Sequence, residues 1–233
     1  MMNCAIMQPT FIPWSGYFNL IVESDKFVFL DDVQYQKRSW QVRNRILLSN
    51  QDHMLSLAVE KCSRSTPINQ VSLSVELRWK DKQLKILQSC YKKANFADQV
   101  LTIVEEIYAL EELNLSTFNI SIIKLICNYL GIENEFYLSS QLNCEGQRSE
   151  RLDNICQKLG AKEYLSPVGS QDYLKEDDFQ NISGIALRFQ KFSPAVYSQV
   201  NRTEFLSHLS ILDVIANIGL VDTKRYCEGV YEN

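Results

Sequence analysis

The chain has 233 residues, of which 45% are hydrophobic and 22% are charged, as in a globular protein of one domain or one domain with appendages. Its formal net charge of -4 argues against nucleic-acid binding, because proteins of that class usually carry a basic field. Seven cysteines without a C-x-x-C pair and only two histidines, His53 and His208, indicate reduced thiols, no metal site and no predicted cofactor. No apolar run approaches the ~20 residues of a membrane span, and we expect a cytoplasmic protein.

The N-terminal segment is predicted to form a strand–helix–strand unit. Asn3–Met7 is a short apolar run that Pro9 ends, because proline removes a backbone donor. Ser15 is the expected N-cap of a helix that runs to about Ser24. Lys26–Leu30 follows as a second strand, rich in aromatic and β-branched residues. This spacing predicts a parallel βαβ unit.

The next segment, Arg43–Val75, is predicted to be extended. Arg45–Leu48 and Met54–Val59 are expected to pair across a turn at 49–52. Val71–Val75 alternates between apolar and polar residues, which predicts a half-exposed strand.

Helical periodicity then dominates to residue 131. One apolar stripe includes Trp79, Leu87 and Tyr91, and a second runs from Phe118 to Tyr129 and is closed by Gly131. Residues 100–113 between them are also predicted to be helical. We expect a helical subdomain at about 79–131.

Strand and helix signals alternate again in the C-terminal part. The predicted elements are strands at Glu135–Ser139, Glu163–Leu165 and Ile185–Phe189, a helix at Leu152–Leu159 between Ser149 and Gly160, and a helix at Leu209–Ile218 ended by Gly219. The sequence therefore predicts a single α/β domain over residues 1–233. We expect a partly parallel sheet with flanking helices, Rossmann-like or nucleotidyltransferase-like in three layers, with a helical section in the middle.

The loop after the first strand is a candidate binding site. Gln8, Trp14 and Tyr17 offer an amide and two amphipathic rings where a strand meets a helix, the place where open α/β sheets bind ligands. The alternative is that the two rings only pack. The order F-x-P-W-x-G-Y also resembles the F-x-P-x-H-x-G-H loop of nucleotidyltransferases, with aromatic residues where the histidines would be.

An acidic pair, Asp31 and Asp32, ends the second predicted strand. These carboxylates could bind a metal, act as a general base or accept hydrogen bonds from a sugar, or they could be solvated or paired with Lys37 and Arg38. We predict no metal, and we name Asp31, Asp32 and Tyr17 as the candidate catalytic residues.

A cationic segment follows in a chain that is otherwise acidic. Arginine offers a planar fork that suits phosphate or carboxylate, and interleaved aromatic residues suit a sugar or a base. A solvated charge run is the alternative. The candidate substrate-binding residues here are Gln34, Tyr35, Lys37, Arg38, Ser39, Trp40, Arg43, Asn44 and Arg45.

Two polar segments near the C-terminus are further candidates. Ser166, Gly169, Ser170 and Tyr173 follow a short strand in a loop that could hold a phosphate or could simply connect two elements. A serine hydrolase is not predicted, because G-x-S-x-G is absent. Tyr197 and Gln199 could line the same pocket. His208 is interpreted as structural.

These motifs together resemble the WbqC-like protein family. The matching pieces are M-Q-P-T-F-I-P-W-S-G-Y-F (Met7–Phe18), F-V-F-L-D-D-V-Q-Y-Q-K-R-S-W (Phe27–Trp40), R-N-R-I (Arg43–Ile46), R-L-D-N-I-C-Q-K-L-G-A-K-E-Y-L-S (Arg151–Ser166), D-Y-L (Asp172–Leu174) and L-S-I-L-D-V-I-A-N-I-G (Leu209–Gly219). Family members often read H-Q-P where this chain has Met7-Gln8-Pro9. They often carry His-Pro where it has Ser193-Pro194.

The resemblance implies an enzyme of bacterial surface-polysaccharide (O-antigen) biosynthesis. It suggests transfer of a glycyl, another aminoacyl or an acyl group to a nucleotide-linked amino sugar, with an acyl donor that the sequence does not identify. The alternatives are a non-catalytic sugar-nucleotide-binding or scaffold protein of the same pathway and a degenerate nucleotidyltransferase-like enzyme. The expected partner is the nucleotide-linked amino sugar, with a homo-oligomer as a further possibility.

Overall fold

A computed structural model of the protein describes residues 1–76, 78–200 and 202–232, and a five-stranded parallel sheet lies at its centre. The strand order is β5-β2-β1-β6-β7, so β1 is the middle strand. Strands β2 and β5 lie on one side of it, and β6 and β7 lie on the other. The strands of this sheet are β1 (Asn3–Met7), β2 (Lys26–Phe29), β5 (Glu135–Leu138), β6 (Glu163–Ser166) and β7 (Ala186–Phe189), and β3 (Arg43–Leu48) and β4 (Gln51–Ser56) form a separate antiparallel hairpin.

Helices cover both faces of the sheet. They are α1 (Ser15–Glu23), α2 (Arg78–Tyr91), α3 (Ala97–Ala109), α4 (Leu115–Leu130), α5 (Ser139–Leu142), α6 (Arg148–Lys158), α7 (Gln171–Glu176), α8 (Phe179–Ile182) and α9 (Ile211–Cys227), with short 3-10 turns at Ile68–Gln70 and Val168–Ser170. In the described ranges, no helix is long and apolar enough to cross a membrane.

The two faces of β1 and β2 show why the fold has three layers. Successive strand residues point to opposite faces, so Ala5 and Phe27 pack into one core with α1, α3, α4 and α9. Cys4 and Val28 pack into the other core, against α6 and α8. Because both faces are buried, these strands read as continuous apolar runs. The prediction of a three-layer α/β fold is confirmed, and every strand pair in this sheet is parallel.

The hairpin differs from its predicted form. The turn consists of Ser49 and Asn50, which both have positive φ (50° and 65°), so the strands pair closer to the turn than expected. β4 ends at Ser56, and the prediction of a strand to Val59 is wrong there. The predicted strand Val71–Val75 is also wrong, because it makes only isolated bridges at Ser72 and Leu73 in place of a ladder.

Two helix starts depart from the prediction, and one helix continues beyond its predicted end after a kink. Trp14 is the N-cap of α1 and Ser15 is its first residue, while α6 begins at Arg148 and the Ser149 hydroxyl donates to Asp177 instead of capping. Gly219 has non-helical dihedrals (φ 76°, ψ 173°), yet α9 resumes beyond it. The first helical stretch of α9 therefore ends at Gly219 as predicted, and the second stretch, which follows the kink, was not predicted.

Helices α2, α3 and α4 span the predicted helical section. Their apolar residues belong to the same core cluster as those of α1 and α9. Gly131 closes α4 in the left-handed conformation, as predicted (φ 60°). The division of the chain into domains stays a prediction.

Candidate functional site

Two loops at the carboxyl end of the sheet form the base of the site. One follows β1 and the other follows β2, and hydrogen bonds join them directly. The side-chain amide of Gln41 donates from Nε2 to Oε1 of Gln8 at 2.8 Å. The backbone amide of Phe11 donates to the backbone carbonyl of Trp40 at 2.9 Å. The two loops therefore form one bonded unit.

Asn119 fixes that unit to the helical layer. It lies on α4 with no exposed surface, and its Nδ2 donates to the carbonyls of Pro9 (3.2 Å) and Gln41 (2.8 Å). Buried carbonyls need such partners, because water cannot reach them. One side chain thus satisfies a carbonyl in each loop.

Asn44, at the start of the hairpin, holds the first loop in a strained conformation. Its Nδ2 donates to the carbonyls of Phe11 (3.0 Å) and Ile12 (2.9 Å). Ile12 has a φ of 41°, which is rare for a β-branched residue. Such strain persists only where the surroundings enforce it, and it is concentrated at functional sites.

Above these loops lies a cavity of about 370 Å³, here called the aromatic pocket. The Trp14 ring forms one wall, with ring centroids 4.5 Å from His208 and 5.7 Å from Phe192. The pocket is lined by Met7, Thr10, Pro13, Trp14, Tyr17, Trp40, Asn44, Arg45 and His208.

Gly16 determines where the Trp14 ring lies. A Cβ built on Gly16 would stand 2.2 Å from Cζ2 and 2.3 Å from Cη2 of Trp14, and real Cβ atoms do not approach so closely. The tryptophan N-cap thus folds back over the first turn of α1, in space that any side chain at position 16 would occupy. This explains the W-x-G order of the motif.

Arg45 and His208 supply the polar chemistry of the pocket. Arg45 Nε donates to Asp52 at 2.8 Å, and no described residue accepts from its two terminal nitrogens. Partial burial, and to a lesser extent the charge of Arg45, lowers the pKa of His208. His208 is therefore mainly neutral at pH 7. Its Nδ1 lies 2.8 Å from Ser207 Oγ.

Tyr17 has its hydroxyl engaged within the protein. The hydroxyl donates to the Gln8 carbonyl at 3.0 Å, and burial raises its pKa well above the ordinary value. The phenol is thus neutral and holds the end of β1 in place. Gln8, bonded to Gln41, lies beside the pocket wall. Their predicted roles in binding and catalysis stay predictions.

Asp31 and Asp32 lie at the carboxyl ends of β2 and β5 and do not line the aromatic pocket. Asp31 accepts from Ser139 Oγ (3.0 Å) and from the amide (2.9 Å) and hydroxyl (2.7 Å) of Ser140. Asp32 accepts from Ser139 Oγ at 2.6 Å and pairs with Arg151, not with Lys37 or Arg38. Within the described ranges, no group of three His, Cys, Asp or Glu residues could hold a metal ion. The catalytic role assigned to the pair stays a prediction.

The cationic segment contains charged residues without an ion pair to any described residue, here called the rim (Lys37, Arg38 and Arg43), and residues that bond to the protein itself. Lys37, Arg38 and Arg43 make no ion pair in the part of the chain that the structure describes, and Lys37 and Arg38 are exposed. Trp40, 52% exposed, carries this loop into the pocket lining. Lys37, Arg38 and Arg43 themselves do not line the pocket, so the structure does not bring these predicted binding residues into it.

Other members of the segment bond to the protein itself. Gln34 Nε2 donates to the Arg64 carbonyl and the Tyr35 amide donates to the Thr66 carbonyl, so both tie the loop to residues 64–66. The Ser39 hydroxyl donates to the Gln36 carbonyl at 2.7 Å. Their contacts are thus those of a scaffold for the rim.

The C-terminal candidates lie outside the aromatic pocket. Ser166 is buried at the end of β6 and donates to the Pro167 carbonyl, Gly169 and Ser170 lie in the 3-10 turn, and Tyr173 packs under the guanidinium of Arg148. Tyr197 and Gln199 both bond to the buried carboxylate of Asp213. The structure therefore does not bring the two segments into one pocket with Trp14.

His208 lines the aromatic pocket, although the sequence predicts a structural role for it. It precedes Ser210, the N-cap of α9, which forms a bridge with Trp14 and whose amide donates to the Arg45 carbonyl at 2.8 Å. These contacts join positions nearly two hundred residues apart in sequence, which periodicity cannot reveal. No local pattern in the sequence around His208 identifies it as a pocket residue.

The fold and the pocket define a three-layer α/β protein with an open pocket at the carboxyl end of the middle strand of a parallel sheet. A family model described as the WbqC-like protein family matches residues 8–225, and the chain belongs to this family. It is 33% identical over 230 residues to "Uncharacterized protein Rv1507c" of Mycobacterium tuberculosis (strain ATCC 25618 / H37Rv), covering 97% of this chain and 99% of that protein. No solved structure matches the chain.

Proposed function

We propose that the aromatic pocket binds a nucleotide-linked amino sugar and that the protein transfers an acyl or aminoacyl group to the sugar amine. One observation carries the proposal: Trp14, Trp40 and Arg45 line the same cavity. Sugar faces and nucleobases pack on aromatic rings, and an arginine fork suits a phosphate. The setting in surface-polysaccharide biosynthesis comes from the family resemblance.

The charge of the pocket and of the adjoining segment supports an anionic ligand. The terminal nitrogens of Arg45 have no described partner. Lys37, Arg38 and Arg43 do not line the pocket, but they belong to the same segment as Trp40 and Arg45 and make no ion pair with a described residue. A diphosphate that replaces water around these groups gains charge-assisted hydrogen bonds, which are about twice as strong as neutral ones. The chain as a whole is acidic, so these cations favour an anionic ligand in this segment.

His208 is the group best placed to accept the amine proton. Its pKa is lowered, so the neutral imidazole predominates at pH 7, whereas the Tyr17 phenol stays protonated. In the tautomer that donates from Nδ1 to Ser207, Nε2 is free to accept a proton. The amine nitrogen then bonds to the acyl carbon of an activated ester or thioester, the bond to the leaving group breaks, and the amine proton passes to His208.

The test combines binding with product analysis. Thermal shift and calorimetry with UDP- and dTDP-linked amino sugars should show binding, and Arg45→Gln should weaken it about tenfold, which equals about 1.4 kcal/mol. Arg225→Gln, an exposed arginine on α9 that pairs only with Asp222 among the described residues, is the matched control. A control variant that loses affinity equally would contradict the assignment of the site.

Turnover is tested with activated acyl and aminoacyl esters and thioesters. Mass spectrometry should show an acylated nucleotide sugar, and His208→Gln should slow its formation about a hundredfold while binding persists, in the range of general-base effects. If binding occurs with no product across the donor panel, transfer is refuted.

A binding protein without catalysis is the second candidate. It is supported by the hydrogen bonds of two candidate catalytic residues, because Asp31 accepts from serine donors and the Tyr17 hydroxyl donates to a backbone carbonyl, which are contacts of structural residues. This candidate expects His208→Gln to leave the surface glycan of the producing cell unchanged. Deletion of the whole protein should still alter that glycan.

A further inference from the structure

A second cavity, of about 180 Å³, lies apart from the aromatic pocket, and no residue lines both. It is enclosed by the turn of the β3–β4 hairpin at Ser49–Asn50, by the last turn of α2 with the residues that follow it, and by the first two turns of α9. It is here called the Asp213 cavity.

Asp213 is a buried carboxylate without a cation. Its side chain lines the cavity, although the residue is only 1% exposed. Oδ2 accepts from Tyr197 Oη at 2.7 Å and from Gln199 Nε2 at 3.0 Å, while no described residue donates to Oδ1 or forms an ion pair with it. Arg202 acts on it from a distance but donates its own hydrogen bonds to backbone carbonyls. A buried carboxylate is costly unless a cation compensates it.

A second buried group in the same cavity lacks a partner. Tyr91 lines the cavity and is 2% exposed, and its hydroxyl oxygen makes no hydrogen bond with any described residue. Buried hydroxyls are nearly always satisfied, so one without a partner requires an explanation. Tyr91 lies on α2 and Asp213 on α9, and two elements thus contribute unsatisfied polar groups to one space.

Two lysines complete the lining. Lys92 and Lys93 follow α2, are exposed, and make no ion pair among the described residues. The cavity therefore has an anionic inner group and a cationic outer one. Burial raises the pKa of Asp213 to about 6, so the carboxylate is still mainly ionised at neutral pH.

We propose that the Asp213 cavity is a second ligand site that binds a small free amino acid as its zwitterion. The ammonium group contacts Asp213 Oδ1 and the Tyr91 hydroxyl, and the carboxylate contacts Lys92 and Lys93. The volume suits a molecule of a few heavy atoms, because one ordered water needs only about 10–15 Å³ on the same measure. This site is independent of the function proposed for the aromatic pocket.

Calorimetric titration of the whole protein with glycine tests the proposal, with methylamine and acetate as probes that carry one charge each. We expect glycine to bind more tightly than either half-probe. Asp213→Asn should weaken glycine binding at least tenfold. The double variant Lys92→Gln/Lys93→Gln should do the same, whereas Lys82→Gln/Lys85→Gln, with the same charge change on α2, should not.

Tyr91→Phe separates a ligand contact from a folding role. Removal of an unsatisfied buried hydroxyl should leave the melting temperature unchanged or raise it, while glycine affinity falls several-fold. Absence of glycine binding to the wild-type protein up to about 10 mM overturns the proposal. Unchanged affinity in both Asp213→Asn and Tyr91→Phe overturns it as well, and methylamine binding as tight as glycine binding overturns the role of the lysines.

Discussion

The position of Trp14 over Gly16 gives the sharpest test of how the aromatic pocket is built. In Gly16→Ala the new methyl carbon would stand 2.2 Å from the indole of Trp14, so the ring must leave its place. It would then lose its contacts with His208 and Phe192, at centroid distances of 4.5 and 5.7 Å. One methyl group on a helix should thus open one wall of the pocket.

Opposing terms set the effect of Gly16→Ala on stability. Overpacking costs about 1–3 kcal/mol, and lost aromatic contacts add about 0.5–1.5 kcal/mol. Alanine in place of a helical glycine returns at most about 1 kcal/mol. We expect a net loss of about 0.5–3.5 kcal/mol in the free energy of unfolding and a loss of at least tenfold in affinity for the nucleotide-linked amino sugar.

Urea denaturation and calorimetric titration measure the two effects. Gly184→Ala is the matched control, because a Cβ there meets no atom within 4 Å and its φ is not positive. If Gly16→Ala is stabilised like an ordinary helical glycine-to-alanine change and binds the ligand normally, then the pocket wall does not depend on Gly16 and the reasoning is refuted.

Three further changes probe other parts of the molecule. The rate of the wild type relative to His208→Gln should stay level as the pH falls to the ordinary imidazole pKa of about 6.5 and should decline only below it, because the folded pKa of His208 is lowered; a relative rate that already declines between pH 8 and 7 would contradict this. The pKa of Asp213 is raised from 3.8 to about 6, so the wild type should lose about 2 kcal/mol of stability relative to Asp213→Asn as the pH rises from 4 to 7; an equal difference in the free energy of unfolding between the two proteins at both pH values would disprove it. Asn119→Ala should destabilise the protein by about 2–4 kcal/mol, because the carbonyls of Pro9 and Gln41 both lose a donor; a loss below about 0.5 kcal/mol would refute that account.

Local sequence patterns predicted those strands and helices whose boundaries and buried faces are determined by the residues within them. The continuous apolar runs of β1 and β2 and the stripe of α4 with Gly131 identify buried strands and a capped helix. The fold class follows, because parallel strands joined by helices must bury both faces of the sheet.

The arrangement of the site could not be predicted in the same way. Nothing in the sequence near Asp32 names Arg151 as its partner, and nothing near Trp14 names His208, because both contacts depend on how distant elements cross. The prediction placed Tyr197 in the ligand pocket because of the polar and aromatic residues around it. Its side chain instead contacts Asp213 on α9. Helical periodicity shows only which face of α9 carries Asp213, and not which distant residue that face meets.

The middle position of β1 has a consequence for how the chain folds during synthesis. Its partner on one side, β2, is made almost at once, but its partner on the other side is β6, so that Ala5 waits for Leu165. Asn19 of α1 donates to the carbonyl of Cys227, a separation of 208 residues. Such long-range pairing makes folding slow. The N-terminal strand must therefore stay unpaired along one edge on the ribosome until nearly three quarters of the chain has been made, and a chaperone that shields this strand should increase the yield of folded protein.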